Sequence, residues 1–114
     1  FEELHHNLEL VRPGVSFAEV AAQAWQPPER IANRYVLSMH GIGLCDEYPC
    51  IYHLQDWDTK GLDGVIEENM TLCVESFIGP AGSREGVKLE QQVLVTATGA
   101  RLLSTFPFED ALLA

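Results

Sequence analysis

His40, Asp46 and Glu47 fall within one short stretch, Met39-His-Gly-Ile-Gly-Leu-Cys-Asp-Glu-Tyr-Pro49. An imidazole and a carboxylate so placed can bind a transition metal together, or one can orient the other for proton transfer. Gly41 and Gly43 tolerate positive φ and let backbone or ligand come close, which suits a site. The plain alternative is a hydrogen-bonded core histidine followed by an ordinary turn, the usual meaning of so short a motif. Further along, Glu75 and Glu90 each interrupt an otherwise apolar, alternating run. Two carboxylates on neighbouring antiparallel strands are costly to bury without a cation. A metal ion is one such partner: His40, Glu75 and Glu90 offer one nitrogen and two oxygen-donor side chains, suited to iron, manganese, cobalt or zinc more than to calcium. Arginine is the other, with Arg34, Arg84 and Arg101 as candidates.

These residues need elements to position them. Leu4, Leu8 and Val11 lie at helical spacing and Arg12-Pro13-Gly14 ends the run, so 1–11 reads as the end of a helix, with His5 and His6 on its surface. Ser16-Phe-Ala-Glu19 is a capping-box pattern and opens a helix through about Trp25, which Gln26-Pro-Pro28 stops. Residues 29–35 read as a short turn, before strand-like Tyr35-Val-Leu37 delivers the chain to His40. The segment 50–61 has no clean period and reads as loop, with Tyr48 and Trp57 available either for packing or to face a cationic group. Residues 64–79 and 86–96 read as strands joined by the turn Pro80-Ala-Gly-Ser83. In the first, Leu72 and Val74 face one way and Thr71, Cys73 and Glu75 the other; in the second, Val87, Leu89, Val93 and Val95 oppose Glu90. Thr98-Gly99 then turns a hairpin back through 101–104.

The 114 residues make one domain or a piece of one. A formal charge of -10 argues against nucleic-acid or anionic-membrane partners, which need Lys/Arg surfaces. Cys45, Cys50 and Cys73 form no CxxC, so neither a disulfide framework nor a zinc ribbon is indicated, and a cytoplasmic location is expected. No apolar run reaches the roughly 18 residues of a membrane span. The chain starts at Phe1 without Met, and the expectation is that it is cut from a longer one.

The order HGIG, then VESFIG, then GVKLEQQVLVTxTG resembles the C-terminal half of the creatinase, prolidase and aminopeptidase P superfamily, the pita-bread fold, over about 12–107. The resemblance implies an α+β architecture with helices packed on a curved antiparallel sheet, residues 1–114 being the C-terminal portion of one metal-binding catalytic domain. It also implies that His40, Glu75 and Glu90 are metal ligands, in a two-metal site completed by aspartates outside this sequence. Peptidases of the superfamily usually continue HGxGL into His-Glu-x-Pro, whereas here Asp46 stands before Glu47, and Ser76 follows Glu75 where many have proline. A carboxylate that only accepts has replaced a histidine that can also donate, a change that suits a base better than a transition-state stabiliser.

This variant resembles the dimethylsulfoniopropionate lyase lineage of the superfamily, with the aspartate and the two glutamates 6, 35 and 50 positions after the histidine (46 - 40, 75 - 40, 90 - 40). That resemblance implies iron, a homodimer, a small sulfonium substrate eliminated to dimethyl sulfide and acrylate, Tyr35 working beside the metal, and Asp46 as the base. The rival expectations are an X-Pro dipeptidase or aminopeptidase with a relocated proton relay, and a non-catalytic module that keeps the scaffold without metal. In either enzyme reading the 114 residues alone are expected to be inactive.

Overall fold

The computed structural model describes residues 1–28 and 31–110, apart from the side chains of residues 31, 32 and 46. Among the described residues, three helices, α1 (Glu2–Glu9), α2 (Phe17–Gln23) and α3 (Leu54–Lys60), accompany six strands, β1 (Ile31–Arg34), β2 (Leu37–Ile42), β3 (Asp46–Tyr52), β4 (Thr71–Pro80), β5 (Val87–Thr96) and β6 (Gly99–Leu102). The strands form one antiparallel sheet in the order β3-β2-β4-β5-β6, and β1 pairs with the far end of β4. Among the described residues no helix is long and apolar enough to cross a membrane.

Strand alternation divides the sheet into two chemically distinct faces. Met39 is paired with Val74, and Leu72 with Val93, so these side chains point the same way, onto a core completed by Leu4, Phe17, Val20 and Ile66 from the helices and loops. The residues one step along each strand, His40 opposite Cys73 and Glu75 opposite Glu90, necessarily share the other face. Phe17 of α2 is fully buried, and the predicted capping box is formed: Ser16 N–H donates to Glu19 Oε2 at 2.9 Å and Glu19 N–H to Ser16 Oγ at 3.2 Å.

Several of the expected elements need correction. The strand expected over 64–79 begins only at Thr71, and before it Val65 makes just an isolated bridge with Ser16. Within the expected turn over 29–35, residues 31–34 are a strand instead, held by Asn33 opposite Gly79 and Arg34 opposite Ile78; residues 29 and 30 lie outside the described residues. The expected loop over 50–61 is the end of β3 followed by α3. That helix has no fully buried residue, so it carries no apolar period to read. The second predicted helix stops at Gln23, just short of Trp25.

Behind Glu75, on the helix-covered face, lies a buried polar cluster. Ser76 Oγ donates to Glu3 Oε2 at 2.5 Å, and His53 Nε2 lies 3.7 Å from Glu3 Oε1. Burial pushes the Glu3 carboxyl above its usual range despite the Ser76 hydrogen bond. Burial, seconded by Arg34, pulls His53 down to about 4. Burial thus disfavours the charged form of each group, and with His53 neutral at pH 7 their 3.7 Å approach is not an ion pair there. Between pH 6.5 and 4 the unfolded chain protonates His53 and the folded chain does not, so this residue makes stability fall as pH drops through that window, by about 3 kcal/mol at most. Glu3 acts in the opposite sense, because its folded form takes up a proton more readily than its unfolded form. His53→Gln is expected to flatten the acid limb of a plot of urea midpoint against pH; an unchanged slope would show that His53 is not the group responsible.

Candidate metal centre

His40 sits in the last part of β2, where the strand is hydrogen-bonded on both sides, to β3 and to β4. Its Nδ1 lies 2.7 Å from the Gly41 carbonyl oxygen. A carbonyl only accepts, so Nδ1 carries a proton and Nε2 is the nitrogen turned toward Glu75. Nε2 lies 2.8 Å from Glu75 Oε1. Two acceptors at that distance need a positive charge between or beside them, whether a proton or a metal ion. A backbone carbonyl that fixes the tautomer in this way is the usual support of a metal-binding histidine.

Gly41 serves this geometry by close approach. Its φ is not among the positive ones, but a Cβ built on it would lie 2.2 Å from the Tyr48 carbonyl oxygen of β3. The pairing register shifts between His40 and Gly41, which brings the two strands together there. Gly41→Ala is therefore expected to force the hairpin apart and lower stability by about 1–3 kcal/mol. A thermal melt of the variant matching that of the parent would contradict this.

Glu75 is buried on β4, and its Oε2 has no hydrogen bond. That oxygen lies 3.2 Å from the ammonium of Lys88, an ion pair without hydrogen-bond geometry. Glu90, directly across on β5, is exposed rather than buried, and its Oε2 lies 3.0 Å from the same ammonium. The counter-cation of the two glutamates is thus Lys88 and none of the three expected arginines; Arg34 instead pairs with Asp56 at 3.1 Å. Partial burial disfavours charge on Lys88, but its contacts with Glu90 and Glu75 outweigh it and hold the ammonium above its ordinary pKa. Lys88 also lies 5.5 Å from the centroid of the Tyr35 ring, which joins Tyr35 to the group.

Cys73, two residues before Glu75 on the same face, completes the cluster. Donor atoms of His40, Cys73 and Glu75 all lie within 4.8 Å of one another. Burial, helped by Glu90 and Glu75, pushes the Cys73 thiol up to about 12, so it stays a neutral thiol beside the carboxylates. The fixed imidazole, the buried Glu75 carboxylate, whose Oε2 meets the Lys88 ammonium, and the facing Glu90 fit a divalent cation. The backbone of Asp46 opens β3 opposite Ile42, while its side chain lies outside the described residues. Tyr48 and Trp57 are placed elsewhere: Tyr48 meets Phe17 edge-on at 6.1 Å, and Trp57 packs against the core.

The family model of metallopeptidase family M24 matches residues 2–97. The chain belongs to this family. It is 37% identical over 113 residues to "Dimethylsulfoniopropionate lyase DddP" from Roseovarius nubinhibens and 36% identical to the protein of that name from Roseobacter denitrificans. Each alignment takes in 98% of this chain and 25% of the relative, so the chain spans about a quarter of the length of these relatives. Among solved structures, dipeptidase PepE from Mycobacterium ulcerans superposes with a TM-score of 0.69 at 30% identity, over 94% of this chain and 28% of that one. An X-Pro aminopeptidase from Thermotoga maritima gives 0.71 at 23% identity, over 95% and 30%, which shows the shared fold. The antiparallel sheet with its helices is therefore part of an M24 pita-bread domain, as the sequence motifs imply.

Proposed function

We propose that this M24 chain is the C-terminal portion of the catalytic domain of a metal-dependent lyase that cleaves dimethylsulfoniopropionate to dimethyl sulfide and acrylate. The observation that carries this reading is identity of 36–37% to two lyases along almost the whole chain. The departures from the peptidase motif at Asp46 and Ser76 support it. In this reading His40, Glu75 and Glu90 hold the ion, which is iron, with further ligands outside this sequence, and the whole protein is a cytoplasmic homodimer.

A bound divalent ion would orient the substrate carboxylate and polarise it, which acidifies the adjacent C–H. Asp46 takes the α-proton. The C–H electron pair becomes the second bond between the α and β carbons, the β carbon–sulfur bond breaks, and its electrons leave on sulfur as neutral dimethyl sulfide. Tyr35 faces the sulfonium: its ring already lies beside one cation in this structure, the Lys88 ammonium, and such attraction contributes roughly 0.5–2 kcal/mol.

A second reading, a peptidase of the same fold, is favoured by the 30% identity to dipeptidase PepE, and X-Pro dipeptides are its test substrates. One tube separates them. The full-length metal-loaded protein is given equal amounts of dimethylsulfoniopropionate and an X-Pro dipeptide, with acrylate vinyl protons and free proline followed together by NMR. Acrylate without proline is the expected result; proline without acrylate would transfer the assignment to the peptidase.

A further inference from the structure

Lys88 is absent from the chemistry above, yet it touches both carboxylates to which that reading assigns the metal. Glu75 and Glu90 are register partners on adjacent strands, and like charges directly opposite one another destabilise a sheet. Lys88, two residues before Glu90, shares its face and reaches one oxygen of each, at 3.2 and 3.0 Å. The oxygen it meets on Glu75 is the buried one without a hydrogen bond. An ammonium and a divalent ion cannot both sit against these oxygens without strong mutual repulsion. Lys88 has somewhere else to go: its side chain is 49% exposed, and it lines, with Glu90, Gln92, Ser104 and Phe106, an open cavity of about 510 Å³.

We infer that Lys88 is a built-in counter-cation of this centre, whose ammonium clamps Glu75 and Glu90 in the metal-free protein and is displaced when a divalent cation binds. The inference rests on the assignment of those glutamates as ligands. Lys88 thus stabilises the metal-free fold and weakens metal affinity, so that the measured dissociation constant describes an exchange of one cation for another. Displacement also clears the face of Tyr35.

The test is Mn²⁺ titration calorimetry on the full-length protein, with Lys88→Met and Lys88→Arg alongside the parent. Lys88→Met should bind Mn²⁺ about five- to tenfold more tightly, the size of a partly buried ion pair, and melt at a lower temperature when metal-free. Lys88→Arg, which keeps the charge, should bind as the parent does. Equal or weaker binding by Lys88→Met would overturn the inference. A second readout needs no variant: acetylation of Lys88 by an N-hydroxysuccinimide ester, followed by mass spectrometry, should speed up on adding Mn²⁺, and an unchanged or slower rate would overturn it as well. If the parent bound no Mn²⁺, the ligand assignment itself would fall and the Lys88 role with it; binding by the parent with no gain in Lys88→Met sinks the Lys88 role alone.

Discussion

Glu75→Ala is expected to abolish metal-dependent activity and to weaken metal binding by at least about 100-fold, more than loss of a supporting hydrogen bond to a ligand would cause. The expectation comes from position. Glu75 is buried, its Oε1 lies 2.8 Å from His40 Nε2, and its Oε2 meets Lys88. Removing it leaves His40 without its carboxylate and Lys88 with Glu90 alone. The clearest readout is thermal. An ion present at about 100 times its dissociation constant stabilises the parent by about 2.7 kcal/mol, so the parent should melt higher with metal than without. Glu75→Ala should show no such increase. Metal-induced stabilisation that survived the substitution would remove Glu75 from the ligand set.

Asp46→Asn is the second large effect, and it should separate chemistry from binding. The amide keeps nearly the size of the carboxylate and cannot accept the proton. Loss of a positioned general base lowers kcat by about 10²–10⁴-fold, while metal content and the melting temperature should stay those of the parent. Comparison of steady-state kcat with metal stoichiometry in the two proteins checks both halves. Parent-like turnover would move the base elsewhere, and loss of metal along with turnover would make Asp46 a support of the site rather than its base.

Much of this was legible because strand chemistry is periodic. Leu72 and Val74 alternating with Cys73 and Glu75 announce both faces of β4, and Leu89, Val93 and Val95 against Glu90 do the same for β5. Those two strands place Glu75 opposite Glu90, and the histidine motif falls on the strand beside them. Other features were hidden for physical reasons. The strand β1 exists because its backbone finds the far end of β4, a pairing across more than forty residues that no local pattern records. Helix α3 keeps its side chains at least partly accessible, so it shows no apolar stripe. The sequence offered three arginines as counter-ions, and the long reach of such side chains leaves the choice to tertiary packing. Lys88 could have been found by a simpler signal, since residues two apart on a strand point the same way. The Glu3–Ser76–His53 cluster had none: it joins three distant segments, and a glutamate beside Leu4 in a helix reads as solvent-facing until the structure places it inward.

Dimethyl sulfide in the gas phase above the full-length protein decides between lyase and peptidase. Protein stripped with a chelator, then reloaded with divalent iron, would be given dimethylsulfoniopropionate in a sealed vial. The stripped protein should release no sulfide, and after reloading sulfide should appear matched mole for mole by acrylate. Sulfide released equally with and without metal, or none from reloaded protein that still hydrolyses an X-Pro dipeptide, would contradict a metal-dependent lyase.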